Sequence, residues 1–164
     1  MKLLGASFLF FIPSLALAAG GPVALGDNGG KFGDWTAATY GKGADKACYA
    51  FTAAQHSDPA LKKRGAVLLT VTERRGAHDE VTLGAGYTYP ANAKVTLKID
   101  DKSVDFYTQG DTAFTTDGAG TVAAFKNGSG AEAKSTGPHG HPVTDDFSLA
   151  GFSGAYSAIT KACP

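Results

Sequence analysis

The fold class this sequence predicts is mainly β, an antiparallel β-sandwich or flattened barrel with one C-terminal α-helix, and three observations predict it. Apolar residues recur in short alternating bursts, the period of half-buried strands, over most of the chain. Glycine supplies 22 of 164 residues against seven prolines, which suits many short strands joined by tight turns. Sustained helical spacing occurs in one place beyond the N-terminal region, where Phe152, Ala155, Tyr156, Ile159 and Ala162/Cys163 fall on one face. A single long helix is too little to cover both faces of a parallel sheet, so the strands are expected to pair antiparallel.

In chain order, Lys2 precedes an apolar run over residues 3–17 that ends in Ala16-Leu17-Ala18, the charge, core and small-residue pattern of a cleaved export signal at residues 1–18. The run falls short of the ~20 residues that span a bilayer, and Gly20, Gly21 and Pro22 follow at once, so no transmembrane segment is expected after cleavage. Residues 19–31 are glycine-rich and weakly patterned, which predicts a flexible N-terminal segment. Residues 32–164 then read as a single β-sandwich-like domain of ordinary size. Its first strand follows Trp35, the only tryptophan. A second strand covers residues 46–52, with Cys48, Ala50 and Thr52 on one face and Tyr49 and Phe51 on the other.

After the basic loop Lys62-Lys63-Arg64, the alternation of Val67, Leu69 and Val71 predicts a third strand, and residues 74–79 a turn. Residues 80–83 resume the alternation. Val95, Leu97 and Ile99 alternate with lysines and threonine, Asp100-Asp101-Lys102 turns the chain, and residues 104–107 return as a hairpin. Residues 112–115 make another short strand. Strand and helix both fit residues 122–125, and length does not decide between them. Residues 131–135 are extended, and residues 136–142 form a loop containing His139 and His141. The terminal helix should begin between Ser148, a possible N-cap, and Phe152, and stop at Cys163 before Pro164.

Charge and motifs narrow the chemistry. Fifteen basic residues balance fifteen acidic ones without a basic stripe, which argues against nucleic acid as a partner. Lys62-Lys63-Arg64 reads as a solvated loop. Gly84-x-Gly86 lacks the helix N-terminus that a phosphate cradle needs, and no Gly-x-Ser-x-Gly elbow supports a serine nucleophile. Asp100-Asp101 and Asp145-Asp146 are adjacent, so each pair points to opposite faces and reads as turn and cap residues. Tyr87, Tyr89 and Phe114 read as strand-packing aromatics rather than an exposed patch. His139 and His141 are candidate metal ligands, but two imidazoles fall short of the three or four protein ligands of a zinc site, so no cofactor is expected. Export into an oxidising compartment with two cysteines predicts a Cys48–Cys163 disulfide tying the terminal helix to the second strand.

The segments Phe32-Gly33-Asp34-Trp35, Ala47-Cys48-Tyr49-Ala50, Gly86-Tyr87, residues 105–114, residues 121–128 and Asp146-Phe147-Ser148-Leu149-x-Gly151-Phe152, in that order and spacing, resemble the invasion-associated locus B family of bacterial exported proteins. Trp35, Phe147, Ser148, Leu149, Gly151 and Phe152 carry the resemblance as structural motif residues. It implies a β-sandwich-like domain in the periplasm or at the cell surface, with a non-enzymatic accessory role, an unidentified protein or envelope partner, and in founding members a link to host-cell entry. The alternative reading is a periplasmic metal-dependent or hydrolytic enzyme using His139 and His141. A third ligand within reach of both histidines would favour it.

Overall fold

The computed structural model describes residues 21–164, so the reading of residues 1–18 as an export signal lies outside the described residues. Twelve strands are present among the described residues: β1 (Val23–Ala24), β2 (Lys31–Phe32), β3 (Trp35–Tyr40), β4 (Ala47–Ala53), β5 (His56–Asp58), β6 (Leu68–Arg74), β7 (Ala77–Gly84), β8 (Val95–Ile99), β9 (Lys102–Gln109), β10 (Thr112–Thr115), β11 (Gly130–Thr136) and β12 (Pro142–Ser148). They form one antiparallel sheet in the order β1-β3-β4-β6-β7-β10-β9-β8-β11-β12-β5, with β2 also on β3. The ladder is not closed. It nevertheless curls on itself, because β5 follows β4 after two residues yet pairs with β12 at the far end of the order.

The seam between the two ends is stitched by single hydrogen bonds. Gln55 N donates to the Asp146 carbonyl (2.8 Å), Asp34 N to the Ala150 carbonyl (3.0 Å), and the Trp35 indole N–H to the Ser148 carbonyl (3.0 Å). A buried tryptophan needs a partner for its one polar atom, and here that partner lies across the seam. Trp35 also meets Phe152 edge-on at 4.8 Å, and Phe125 packs edge-on against Phe152 at 5.2 Å.

Two helices fill the inner face. The C-terminal helix, Phe152–Ala162, lies on β3 and β4, where Ala37 and Ala50 pair across the ladder and are small enough to let Phe152, Ala155 and Ile159 approach. It begins at Phe152, within the expected range, with Gly151 rather than Ser148 as the N-cap residue. Gly151 has φ 92°, and a side chain there would run into the Phe32 carbonyl. The Ser148 hydroxyl instead accepts from Ala150 N at 3.1 Å and holds the turn before the helix.

The expectation of one long helix is corrected by a second, Gly118–Asn127, which settles the ambiguity at residues 122–125. Asp117 caps it, its carboxylate accepting from Gly120 N at 3.0 Å, and Val122 and Phe125 turn inward one helical turn apart. Four apolar residues in a row had no period long enough to reveal this. The described part of the expected flexible segment, residues 21–31, is also corrected. Backbone pairing holds it: β1 and β2 both join β3, and Leu25 N donates to the Ala37 carbonyl at 2.9 Å. Left-handed Asn28, Gly29 and Gly30 fold the chain back between them. The turn expected over residues 74–79 shrinks to Arg75-Gly76, with β7 starting at Ala77.

Candidate functional site

Two polar networks lie inside the curled sheet, and sequence reasoning had placed the central residues of the first, Arg64 and Asp145, outside it. In the first, Arg64 and Asp145 form a two-pronged ion pair, both guanidinium nitrogens 2.7 Å from the two carboxylate oxygens, with side chains 6% and 1% exposed. Ser57 Oγ donates to the same carboxylate at 2.6 Å, and Arg64 Nε donates to the Ala85 carbonyl at 2.7 Å. The guanidinium sits over the Tyr87 ring at 5.0 Å, and the Tyr87 hydroxyl meets Ser135 Oγ at 2.9 Å. The basic loop is therefore anchored through Arg64 rather than solvated throughout, and Asp145 is a core residue rather than a cap. The sequence signal was present: Asp145 alternates with buried Val143 and Phe147, which puts it on the inward face of β12.

Glu73 repeats the pattern on β6, two residues after buried Leu69 and Val71 in alternation. It pairs with His78 Nδ1 at 2.7 Å and accepts from Asp79 N at 3.1 Å. The Tyr156 hydroxyl of the C-terminal helix donates to Asp79 at 2.6 Å, and Lys126 lies over the Tyr156 ring at 4.2 Å. Burial raises the Glu73 pKa above the ordinary glutamic-acid value, with the His78 contact opposing it. This network joins β6, β7 and both helices.

Neither network presents an activated nucleophile. Ser57 gives its proton to a carboxylate already held by a guanidinium, which leaves no base free to accept it. Glu73 orients His78, whose ring is half-exposed, but among the described residues no serine or cysteine hydroxyl or thiol is hydrogen-bonded to that ring. His139 and His141 lie exposed at the β11–β12 turn, and no group of three or more His, Cys, Asp or Glu with metal-binding geometry occurs among the described residues. Replacing both histidines with alanine should change stability by less than ~0.5 kcal/mol, as at ordinary surface sites. Zinc-dependent thermal stabilisation that disappears in the double variant would contradict this.

The phenols give a pH prediction. Burial raises the pKa of Tyr89 and Tyr156 well above the ordinary tyrosine value, and the Tyr89 hydroxyl has no hydrogen-bond partner among the described residues. Raised folded-state values mean that their contribution is fully present below pH ~10 and is lost as the pH climbs through the raised values. Tyr89→Phe removes an unsatisfied buried hydroxyl, so it should be neutral or stabilising at pH 7 and should lessen the alkaline loss. Urea melts from pH 7 to 11 test both points. A clear loss of stability at pH 7 would refute the assignment.

The remaining motif residues converge. Phe147, Leu149 and Phe152 are buried, Trp35 bonds to Ser148 and packs on Phe152, and Gly151 touches the Phe32 carbonyl. Cys48, on the inner face of β4, is disulfide-bonded to Cys163 at the end of the C-terminal helix, with Cα atoms 5.9 Å apart. That separation suits an unmoved backbone.

Two unlike rows cross the outer surface. Across β8, β11, β12 and β5, the register aligns Lys98, Glu132, Asp146 and His56 in one row. Across β9, β10, β7, β6, β4 and β3 it aligns Tyr107, Phe114, Thr82, Thr70, Phe51 and Thr36, a row without a charge. Tyr107 is 55% exposed and stacks on half-buried Phe114 at 5.5 Å. Five strand steps of ~4.8 Å make this row about 24 Å long. Phe114 thus belongs to an exposed aromatic surface, whereas Tyr89 is buried as expected.

No helix among the described residues is long and apolar enough to cross a membrane. No curated protein sequence matches the chain. Among solved structures it is similar to the crystal structure of invasion associated protein b from Bartonella henselae, with a TM-score of 0.59 and 17% sequence identity over 80% of this chain and 94% of that one. That likeness speaks for the fold. The family model described as invasion associated locus B (IalB) protein matches residues 35–160, starting at Trp35 and taking in Arg64, Glu73, Asp145 and most of the C-terminal helix. With the match covering most of the chain, this protein belongs to the invasion associated locus B family.

Proposed function

We propose that this chain is an exported, non-enzymatic accessory domain of the bacterial envelope, periplasmic or at the cell surface, which binds a protein partner through an uncharged row of its outer sheet face. Family membership and the disulfide support export, since such bonds persist in oxidising compartments. The observation that carries the binding reading is the Tyr107–Phe114–Thr82–Thr70–Phe51–Thr36 row. Aromatic anchors on a surface depleted of charge are the composition of interface cores. The inward polar groups support the accessory role, because the Asp145 carboxylate and the Arg64 guanidinium are bound to each other rather than open to a substrate.

Tyr107→Lys and Thr82→Lys test the reading, each placing a charge in the row at a position with solvent access. Affinity capture on envelope fractions with the mature domain should recover a defined partner that both variants lose, while Lys134→Glu, outside that row on β11, retains it. Equal recovery by all three would reject the face. Host-cell interaction is a narrower form of the same proposal, and comparing adhesion or entry of cells carrying wild-type protein and Tyr107→Lys tests it.

A further inference from the structure

We propose that Cys163 is the sulfur at which the disulfide is opened, by a small anionic thiol of the glutathione class that docks in the cleft beside it. The cleft has a volume of about 330 Å³ and is lined by Gly43, Lys46, Arg75, Ala162, Cys163 and Pro164. Three features of this place point to such a ligand.

First, the two sulfurs are not equivalent. Cys163 lines the cleft and is 8% exposed, whereas Cys48 is fully buried on the inner face of β4, its sulfur 3.6 Å from Thr39 Oγ1. The cleft therefore lies on the Cys163 side of the bond, and a thiolate that enters it meets that residue rather than Cys48. Second, the cleft carries two cationic side chains. Lys46 donates to the Ala162 carbonyl at 2.7 Å, which fixes an ammonium within one residue of Cys163. Arg75, at the tip of the β6–β7 turn, has no carboxylate partner among the described residues, unlike neighbouring Arg74, which pairs with Glu80. Third, Lys46 and Arg75 also line an adjoining cleft of about 250 Å³, where the Asp45 side chain is the acidic one. The cleft at the cysteine thus holds two cationic side chains against one carboxylate, the main-chain carboxyl of Pro164, and the Asp45 side chain lines only the neighbouring cleft. A tripeptide thiol with two carboxylates matches this in size and sign better than a neutral or cationic thiol does.

The reaction balances with the thiol as reductant. Its thiolate attacks Cys163 Sγ, the S–S bond breaks, and the electron pair leaves on Cys48 Sγ, which takes a proton from water. A mixed disulfide remains on Cys163. A second thiolate attacks the external sulfur of that mixed disulfide and releases Cys163 as a thiol after protonation, along with the oxidised dimer of the small thiol. Two external thiols are oxidised for the one protein disulfide reduced.

The experiment uses the native oxidised protein and three probes: glutathione, 2-mercaptoethanol and cysteamine. Rates are compared at equal thiolate concentration, and acid quenching, alkylation and peptide mass mapping locate the adduct. Glutathione should exceed cysteamine by on the order of tenfold at low salt, with the adduct on the Cys163 peptide. Arg75→Glu, an exposed turn substitution, should invert that order without moving the melting temperature of the oxidised protein. An adduct on Cys48, equal rates for the three thiols, indifference to Arg75→Glu, or reduction only at the rate of global unfolding would each overturn the proposal.

Discussion

Arg64→Ala should destabilise the domain by about 3–5 kcal/mol, the cost expected when one partner of a buried ion pair is removed and the other is left charged. Asp145 would keep Ser57 Oγ but lose both guanidinium contacts in a place where its side chain is 1% exposed. Asp145→Ala should cost a similar amount by stranding the guanidinium, although Arg64 keeps the Ala85 carbonyl. The double variant Arg64→Met/Asp145→Leu separates the cost of an orphaned charge from the net worth of the pair. Since apolar groups of similar volume often replace such a pair at little cost, the double variant should recover most of the loss. Urea denaturation of the three variants measures this. Single-variant losses below about 1 kcal/mol would mean that water reaches the pair and that the loop does not depend on it.

Much of the fold was legible because its information is local. Val95, Leu97 and Ile99 announce β8 by alternation, and Val104 and Phe106 return as β9 in the register that pairs Val95 with Phe106 and Leu97 with Val104. The C-terminal helix was legible for the same reason, with Phe152, Ala155 and Ile159 all buried. Residues 122–125 were not, because their helix depends on the Asp117 cap and on packing against Phe152, and neither is visible in a four-residue window. The N-terminal strands were missed because they are two residues each and exist through pairing with β3 rather than through any pattern of their own.

The interior polar groups were half legible. Alternation places Asp145 and Glu73 on apolar faces, but nothing local says that Arg64, 81 positions away from Asp145, supplies the countercharge. Adjacent carboxylates invited a shared explanation as turn and cap residues. The strand period instead sends Asp145 inward to Arg64 and Asp146 outward into the row with Glu132 and His56. The uncharged outer row was equally hidden. Its members come from six strands, and only the register makes them neighbours.

Opening the Cys48–Cys163 bond should lower stability by up to about 5 kcal/mol, because the cross-link closes a loop spanning 115 positions and removes that much unfolded-chain entropy in the polymer model. A loss of this size is comparable to the whole net stability of many domains of this length. The structure also says where it should be felt first. Without the bond, the end of the C-terminal helix keeps the Lys46 contact to the Ala162 carbonyl and the Tyr156 contact to Asp79, while the sheet keeps every ladder bond. Phe152, at the other end of the helix, stays clamped between Trp35 and Phe125. Fraying should therefore run from residue 162 back towards residue 156, with amide exchange in that turn rising before exchange in β6 and β7. Cys48→Ala/Cys163→Ala, followed by hydrogen exchange and thermal melts against the oxidised parent, tests both the magnitude and the order. Two reactive thiols per chain in the unreduced mature protein would show that the bond does not form, and uniform acceleration across sheet and helix would show that the bond stabilises the domain only as a whole.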